Sequence, residues 1–177
     1  MKTALGTVLI TQEDIRRRIT DMGRQISTDY AGSGVTLVGI LKGCFVFLAD
    51  LVRALSPELR VEIDFMSVSS YGNSTTTLGT VHIEKDIGVS IEGKDVIIVE
   101  DIVDTGLTLF HVYNIFSARG ARSLRVATLL EKPGNSRYDR PLDYVGFQIP
   151  NSFVVGFGLD YAQRYRNLPD IRVLDEI

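Results

Sequence analysis

The stretch VIIVEDIVDTGLTL, Val96 to Leu109, constrains the fold more tightly than any other part of the chain. Val96, Ile97, Ile98 and Val99 are all β-branched and do not alternate with polar residues, the pattern of a strand covered on both faces of a parallel sheet. The run ends in Glu100, Asp101 and Asp104, and the sequence then turns apolar again, with a helix predicted over Thr108 to Ala118 and Gly120 just past its end. In open parallel sheets, ligands collect outside the carboxyl ends of the strands, where the next helix offers unpaired N–H groups to an anion. The three acids are expected at that edge, where the strand stops.

Other segments extend the same architecture. Thr11 followed by Asp14 resembles a capping box, and Ile15, Ile19, Met22 and Ile26 repeat at helical spacing, so a helix is expected to run to about Tyr30. Val35 to Leu41 has the look of a buried strand, Cys44 to Ala54 of a helix closed by Ser56-Pro57, and Val61 to Ser69 of a second strand. Further strands are predicted at Leu124 to Leu130, Tyr144 to Phe147, Phe153 to Phe157 and Ile171 to Leu174. Alternating strands and helices give an α/β fold with a mainly parallel twisted sheet flanked by helices, in one domain over residues 1–177. Ser70 to Gly93 is polar, rich in Thr and Gly, and long for a connection, which suggests a mobile lid or two-stranded arm. The shorter C-terminal elements, with the N-terminal segment, are expected to form a small hood over the sheet edge.

Composition removes several function classes. At 177 residues with 45% hydrophobic content, the chain is long enough for one sizeable core. A net charge of -3 gives no long-range pull on nucleic acid, and Arg16, Arg17 and Arg18 are expected to be the solvated face of a helix. The lone Cys44 excludes an internal disulfide, and His82 with His111 lacks metal-ligand spacing, so no zinc centre is expected. The N-terminus has no signal pattern, which makes a cytoplasmic location the expectation. Gly34 to Val52 is long enough to suggest a membrane span, but Lys42-Gly43 interrupts its centre and Asp50 lies near its end. A strand, a sharp loop and an amphipathic helix account for it instead.

The loop Asp104 to Thr108, Asp-Thr-Gly-Leu-Thr, offers backbone N–H groups, two hydroxyls and a glycine that allows close approach, which suits a phosphate monoester. Glu100 and Asp101 would repel a phosphate but suit ribose hydroxyls and a hydrated Mg2+. A solvated loop capping a helix explains a bare Asp-x-x-Asp-Thr-Gly about equally well. An aspartic protease would need a second, closely paired aspartate motif, and the chain holds no second copy. A Walker-type NTPase is excluded because no Gly-x-x-x-x-Gly-Lys-Ser/Thr occurs.

With its four apolar residues, two acids, two apolar residues and Asp-Thr-Gly-x-Thr, the stretch resembles the phosphoribosyl pyrophosphate (PRPP) motif of type I phosphoribosyltransferases. LKGCFVFLADL, SYGNST, LLEK and VGFQIPNSFVVGFGLDYAQRYRNLP follow the order found in the hypoxanthine-guanine members of that family, and the compact N-terminus is similar to the bacterial form. The resemblance covers nearly the whole chain. It implies the type I phosphoribosyltransferase fold and transfer of a 5-phosphoribosyl group from PRPP to hypoxanthine or guanine, with Mg2+ and release of pyrophosphate. Its implied partners are these small molecules and a second copy of the chain, as homodimer or homotetramer, with no nucleic acid and no membrane.

By position, the resemblance makes Asp104 the general base near purine N7 and gives the 5-phosphate to Asp104, Thr105, Gly106, Leu107 and Thr108. Glu100 and Asp101 would hold the ribose hydroxyls directly or through Mg2+, and Asp160 would reach a second Mg2+ through water. Lys42, Gly43 and Arg166 would hold pyrophosphate, with a cis or cis/trans-variable Leu41-Lys42 bond and Lys42 reaching toward Arg166 or a neighbouring subunit. Ser70 and Tyr71 would close the lid and keep water from the sugar carbon. Lys132 would meet the purine 6-position, Phe153 would stack on the ring, and the Val154 backbone would read the N1 and C2 edge. A donor-only lysine rewards a carbonyl oxygen and cannot accept from an amino group, so 6-oxopurines pass and adenine fails. Apart from the surrounding match, a surface lysine and a core phenylalanine would explain these two residues. Leu107 and Ser152 depart from the family pattern, where some relatives carry polar or basic residues.

Overall fold

The computed structural model describes residues 3–70, 81–134 and 136–176. A six-stranded sheet forms its centre, ordered β4-β3-β2-β5-β6-β7, from β2 (Gly34–Leu41), β3 (Arg60–Ser70), β4 (Val81–Lys85), β5 (Asp95–Val103), β6 (Ser123–Glu131) and β7 (Tyr144–Gln148). All pairings are parallel except β3 with β4. Helices α1 (Gln12–Asp29) and α2 (Phe45–Ala54) cover one face and α3 (Leu107–Ala118) the other.

This layering explains the unbroken apolar run. Successive strand residues point to opposite faces. Ile97 and Val99 enter the core under α1 and α2, while Val96 and Ile98 enter the core under α3, and all four are fully buried. The strand does not end at Val99, however. It continues to Val103, so Glu100 and Asp101 lie within β5, paired alongside β6, rather than in a loop beyond it. Local apolar character could not reveal this, because the pairing with β6 holds the extended backbone through the acids.

Helix α1 starts as expected. The Thr11 side chain accepts from the Asp14 N–H at 3.2 Å and donates to its carboxylate at 2.6 Å, and Ile15, Ile19, Met22 and Ile26 form the buried stripe. The Gly34–Val52 segment resolves into β2, a loop and α2, and no helix among the described residues is long and apolar enough to cross a membrane.

Two segments differ from expectation. Thr3–Ile10 forms β1, which pairs antiparallel with β9 (Ile171–Glu176) in a separate three-stranded sheet completed by β8 (Val154–Val155). The strand predicted over Phe153 to Phe157 shrinks to β8 (Val154–Val155), because at Gly156, whose φ is +103°, the chain leaves β9 and bridges to Leu159. Within Ser70 to Gly93, β4 pairs with β3, residues 71–80 lie outside the described residues, and Ile87, Val89 and Ile91 pack into the core under α3.

The arginine triplet is not uniformly solvated. Arg17 pairs with Asp14 on the surface, but Arg18 is partly buried and its Nε donates to the carbonyls of Val145 and Gly146, both at 3.1 Å. These carbonyls belong to β7, the terminal strand of the sheet, so the guanidinium covers an edge that would otherwise be open. Losing charge-assisted bonds to partly buried carbonyls costs about 1–2 kcal/mol per site. Arg18→Ala is therefore expected to lower the melting temperature by roughly 2–8 °C, while Arg17→Ala stays within about 0.5 kcal/mol of wild type. Thermal denaturation of the two variants side by side checks this.

Candidate active site

Three loops meet at the carboxyl ends of β2 and β5. The first follows β5, where Asp104, Thr105 and Gly106 lead into α3. Gly106 has a φ of +66°, and a side chain there would strike Ser136 Oγ at 2.4 Å and Tyr138 Cβ at 2.8 Å, so only glycine fits. The Gly106 carbonyl accepts the Phe110 N–H at 2.9 Å, and the Leu107 N–H leans on the Thr105 hydroxyl at 3.5 Å, which leaves the Thr108 and Leu109 amides at the helix start without an intrahelical acceptor. They face a cavity of about 120 Å3 lined by Glu100 and residues 102–109.

The second loop follows β2. The Leu41-Lys42 peptide bond is cis, as the family resemblance implied. At Gly43 a Cβ would lie 1.6 Å from Asp101 Oδ2, so glycine here lets the backbone rest directly on the carboxylate. The third loop presses from the other side, since a Cβ at Gly158, φ +101°, would lie 2.2 Å from the Gly43 carbonyl oxygen. Gly158 also accepts from Arg166 Nη1 at 2.7 Å, and Arg166 pairs with Asp160 at 2.6 Å. The expected pyrophosphate group of Lys42, Gly43 and Arg166 is thus drawn together by its backbone. Lys42 does not contact Arg166. Its charge acts instead on Glu84 of β4, whose carboxyl is held low chiefly by the Ser67 hydroxyl at 2.9 Å.

Burial dominates the electrostatics. Each of the adjacent acids keeps some exposed residue surface, but Glu100 Oε2 is sealed off with no hydrogen-bond partner. Desolvation, reinforced by Asp101, pushes the Glu100 carboxyl well above the glutamate range. Desolvation also pushes Asp101 up to about 6, with Asp160 adding to the rise and Arg166 opposing it. Asp160 and Arg166 therefore sit within electrostatic reach of the acids on β5. Cys44, buried beside them, has its thiol pushed up by burial and is no nucleophile.

Lys132, just beyond β6, donates its backbone N–H to Val103 at 2.9 Å and pairs through Nζ with Asp104 Oδ2 at 2.9 Å. Its side chain is only 10% exposed, against 46% for Asp104, so the pair stands at the mouth of the loop with the lysine beneath. Phe153 is 53% exposed and meets Tyr161 edge-on at 5.8 Å, leaving a ring face open, while Val154 is buried in β8. Ser70 ends β3, and Tyr71 lies outside the described residues. Among the described residues no three His, Cys, Asp or Glu side chains converge on a metal position.

Sequence reasoning missed the segment after Lys132. Arg137 donates its backbone N–H to the Thr105 carbonyl at 2.6 Å, and buried Tyr138 meets Tyr113 of α3 edge-on at 5.9 Å. Arg140 stacks over the Tyr113 ring at 4.4 Å. This segment clamps the loop from outside, and only Pro133-Gly134 hinted at a turn.

The model of the phosphoribosyl transferase domain matches residues 9–162. The chain belongs to the phosphoribosyltransferase family. It is 47% identical over 174 residues to the hypoxanthine-guanine phosphoribosyltransferase of Bacillus subtilis, covering 98% of this chain and 96% of that one. A second relative, the hypoxanthine-guanine phosphoribosyltransferase of Streptococcus agalactiae, is 50% identical over 176 residues, covering 99% and 97%. The crystal structure of a hypoxanthine-guanine phosphoribosyltransferase from Bacillus anthracis superposes with a TM-score of 0.90 at 41% identity, covering 98% of this chain and all of that one. The central parallel sheet is thus the phosphoribosyltransferase sheet, and the acidic strand end lies inside the matched region.

A buried, unpartnered carboxylate in such a site should cost stability. Because the folded-state value of Glu100 lies above the ordinary 4.5, the folded chain holds this proton more tightly than the unfolded chain and loses stability as pH rises from there. With divalent cations chelated, Glu100→Gln is expected to melt above wild type at pH 8, with the gap closing toward pH 4.5. Calorimetry across that range checks both the sign and the window.

Proposed function

We propose that the chain is a single phosphoribosyltransferase domain whose lid falls within residues 70–86, since Ile87, Val89 and Ile91 of the expected 70–93 segment pack into the core, with the terminal segments as its hood. It transfers the 5-phosphoribosyl group from PRPP to hypoxanthine, and to guanine, giving IMP or GMP and pyrophosphate in purine salvage. The observation that carries this reading is the Lys132–Asp104 pair at 2.9 Å beside the phosphate-sized loop. A lysine that only donates matches a 6-oxo group, and a neighbouring carboxylate matches a ring N–H. Purine N9 attacks the sugar carbon as its bond to pyrophosphate breaks, and Asp104 takes the proton leaving N7. Phe153 offers its open face to the purine ring, and the Val154 backbone reads the N1 and C2 edge.

The 5-phosphate belongs to the loop from Asp104 to Thr108, where helix-start amides and two hydroxyls converge. Pyrophosphate belongs to Lys42, Gly43 and Arg166. The orphaned Glu100 Oε2 and the buried Asp101 fit a divalent cation, because Glu100 has no counter-charge and the Arg166 charge acting on Asp101 does not offset its burial. Mg2+, which takes one or two carboxylates together with substrate oxygens, would be held by these residues, with Asp160 reaching a second ion through water. The chemistry it supplies is charge neutralisation on the leaving pyrophosphate. Ser70 and Tyr71 would exclude water as the lid closes. A cytoplasmic location suits PRPP, a phosphorylated and highly charged substrate. A homodimer or homotetramer suits the exposed apolar side chains of Phe45 on α2 and Ile63 on β3.

A pyrophosphate-release assay with PRPP, Mg2+ and a panel of bases tests the reaction. Release with hypoxanthine and guanine but not with adenine or uracil is expected. Release with uracil instead would assign a pyrimidine transferase, and PRPP binding without release with any base would make the chain a sensor. Asp104→Asn is expected to keep IMP binding while turnover falls roughly 10² to 10⁴-fold, the contribution of a positioned base; an unchanged rate removes Asp104 from that role. Lys132→Ala should lower kcat/KM for hypoxanthine more than for PRPP, and equal losses would make the lysine structural.

A further inference from the structure

The cavity at the start of α3 lacks a cation. Its lining, Glu100 and residues 102–109, contains the carboxylates of Glu100 and Asp104 and no lysine or arginine. Position 107, the first residue of the helix, is leucine. A phosphate monoester brings between one and two negative charges at neutral pH. The Thr108 and Leu109 amides and two hydroxyls can hydrogen-bond it, and the helix end contributes only about half a positive charge. The nearest lysine, Lys132, is already paired with Asp104. Any full positive charge for the phosphate would come from outside the strand-loop-helix unit.

One arginine is anchored to that unit by its backbone. Arg137 donates its main-chain N–H to the Thr105 carbonyl at 2.6 Å, and its neighbours Ser136 and Tyr138 close on Gly106. Tyr138 is 7% exposed and packs edge-on against Tyr113, which fixes this segment to α3. Arg140 is engaged over the Tyr113 ring, whereas the exposed Arg137 guanidinium has no hydrogen bond or ion pair among the described residues. We propose that Arg137 is a phosphate-binding residue, its guanidinium supplying to the 5-phosphate the charge that the loop itself lacks. The planar fork matches two phosphate oxygens at once, which a lysine cannot do. This inference rests on the phosphoribosyl reading of the site and adds to it a recognition residue from a different segment.

The test compares a ligand that carries the phosphate with one that does not. IMP and inosine are titrated into wild type, Arg137→Ala and Arg137→Lys at two salt concentrations, with melting temperatures taken alongside. Arg137→Ala is expected to weaken IMP and raise the KM for PRPP by roughly 10- to 100-fold, the scale of a lost charge-assisted contact. Inosine binding and the melting temperature should stay unchanged. Arg137→Lys should recover part of the loss, and the salt dependence of IMP binding should be shallower in Arg137→Ala than in wild type. IMP affinity within twofold of wild type in Arg137→Ala overturns the assignment, as does an equal loss for IMP and inosine, which would mark a structural residue. Failure of wild type itself to bind IMP would overturn the phosphoribosyl reading, and this assignment with it.

Discussion

Two adjacent carboxylates lie in the C-terminal half of β5, and much of the surrounding architecture accommodates them. Glu100 and Asp101 remain hydrogen-bonded within β5, so they cannot swing into solvent as loop residues could. The backbone of Gly43 rests on Asp101 so closely that a methyl group would lie 1.6 Å from its oxygen, and Gly158 in turn rests on Gly43. Three segments distant in sequence thus stack in order behind one carboxylate. Each contact works because a side chain is missing, and the same close approach that seals the acids from water raises their proton affinity.

Such an arrangement sacrifices stability to prepare a site. The rest of the fold offsets that cost with a sheet buried on both faces, in which β5 divides its residues between the core under α1 and α2 and the core under α3. Rigidity there matters because the acids, the loop ahead of α3 and Lys132 are all held by the ends of β5 and β6. The Lys132 amide bonds to Val103, so the lysine that meets Asp104 is registered to the same strand that positions the acids. In the proposed reaction, a base-reading lysine and a proton-accepting carboxylate fixed relative to each other in this way would select a substrate by shape and by hydrogen-bond polarity together.

Much of this could be read from the sequence, for physical reasons. The β-branched run, the Thr11–Asp14 cap and the helical stripe of α1 are local signals, since each depends on backbone sterics or on neighbours three and four residues away. The family motif is equally local and points to Glu100, Asp101 and Asp104, while Lys132 and Arg166 are marked by other stretches of the resemblance along the chain. Signals that depend on distant partners are not legible in this way. Arg18 could not be separated from Arg16 and Arg17, because what distinguishes it is the open edge of β7 more than a hundred residues away. β1 was unread because its partner β9 lies at the other end of the chain.

The sequence by itself determined the class of fold, the position of the loop ahead of α3 and residue types suited to a sugar phosphate and an oxopurine. These follow from hydrophobic period, turn chemistry and the donor or acceptor character of single side chains. Only the tertiary structure decided that the acids lie inside a strand, that Gly43 and Gly158 stack behind Asp101, that Lys132 pairs with Asp104, and that the segment from Ser136 to Arg140 closes over the loop. Each of these is a contact between segments far apart in the chain. Whether a charge is desolvated or paired depends on what surrounds it in space, which no local pattern of residues records.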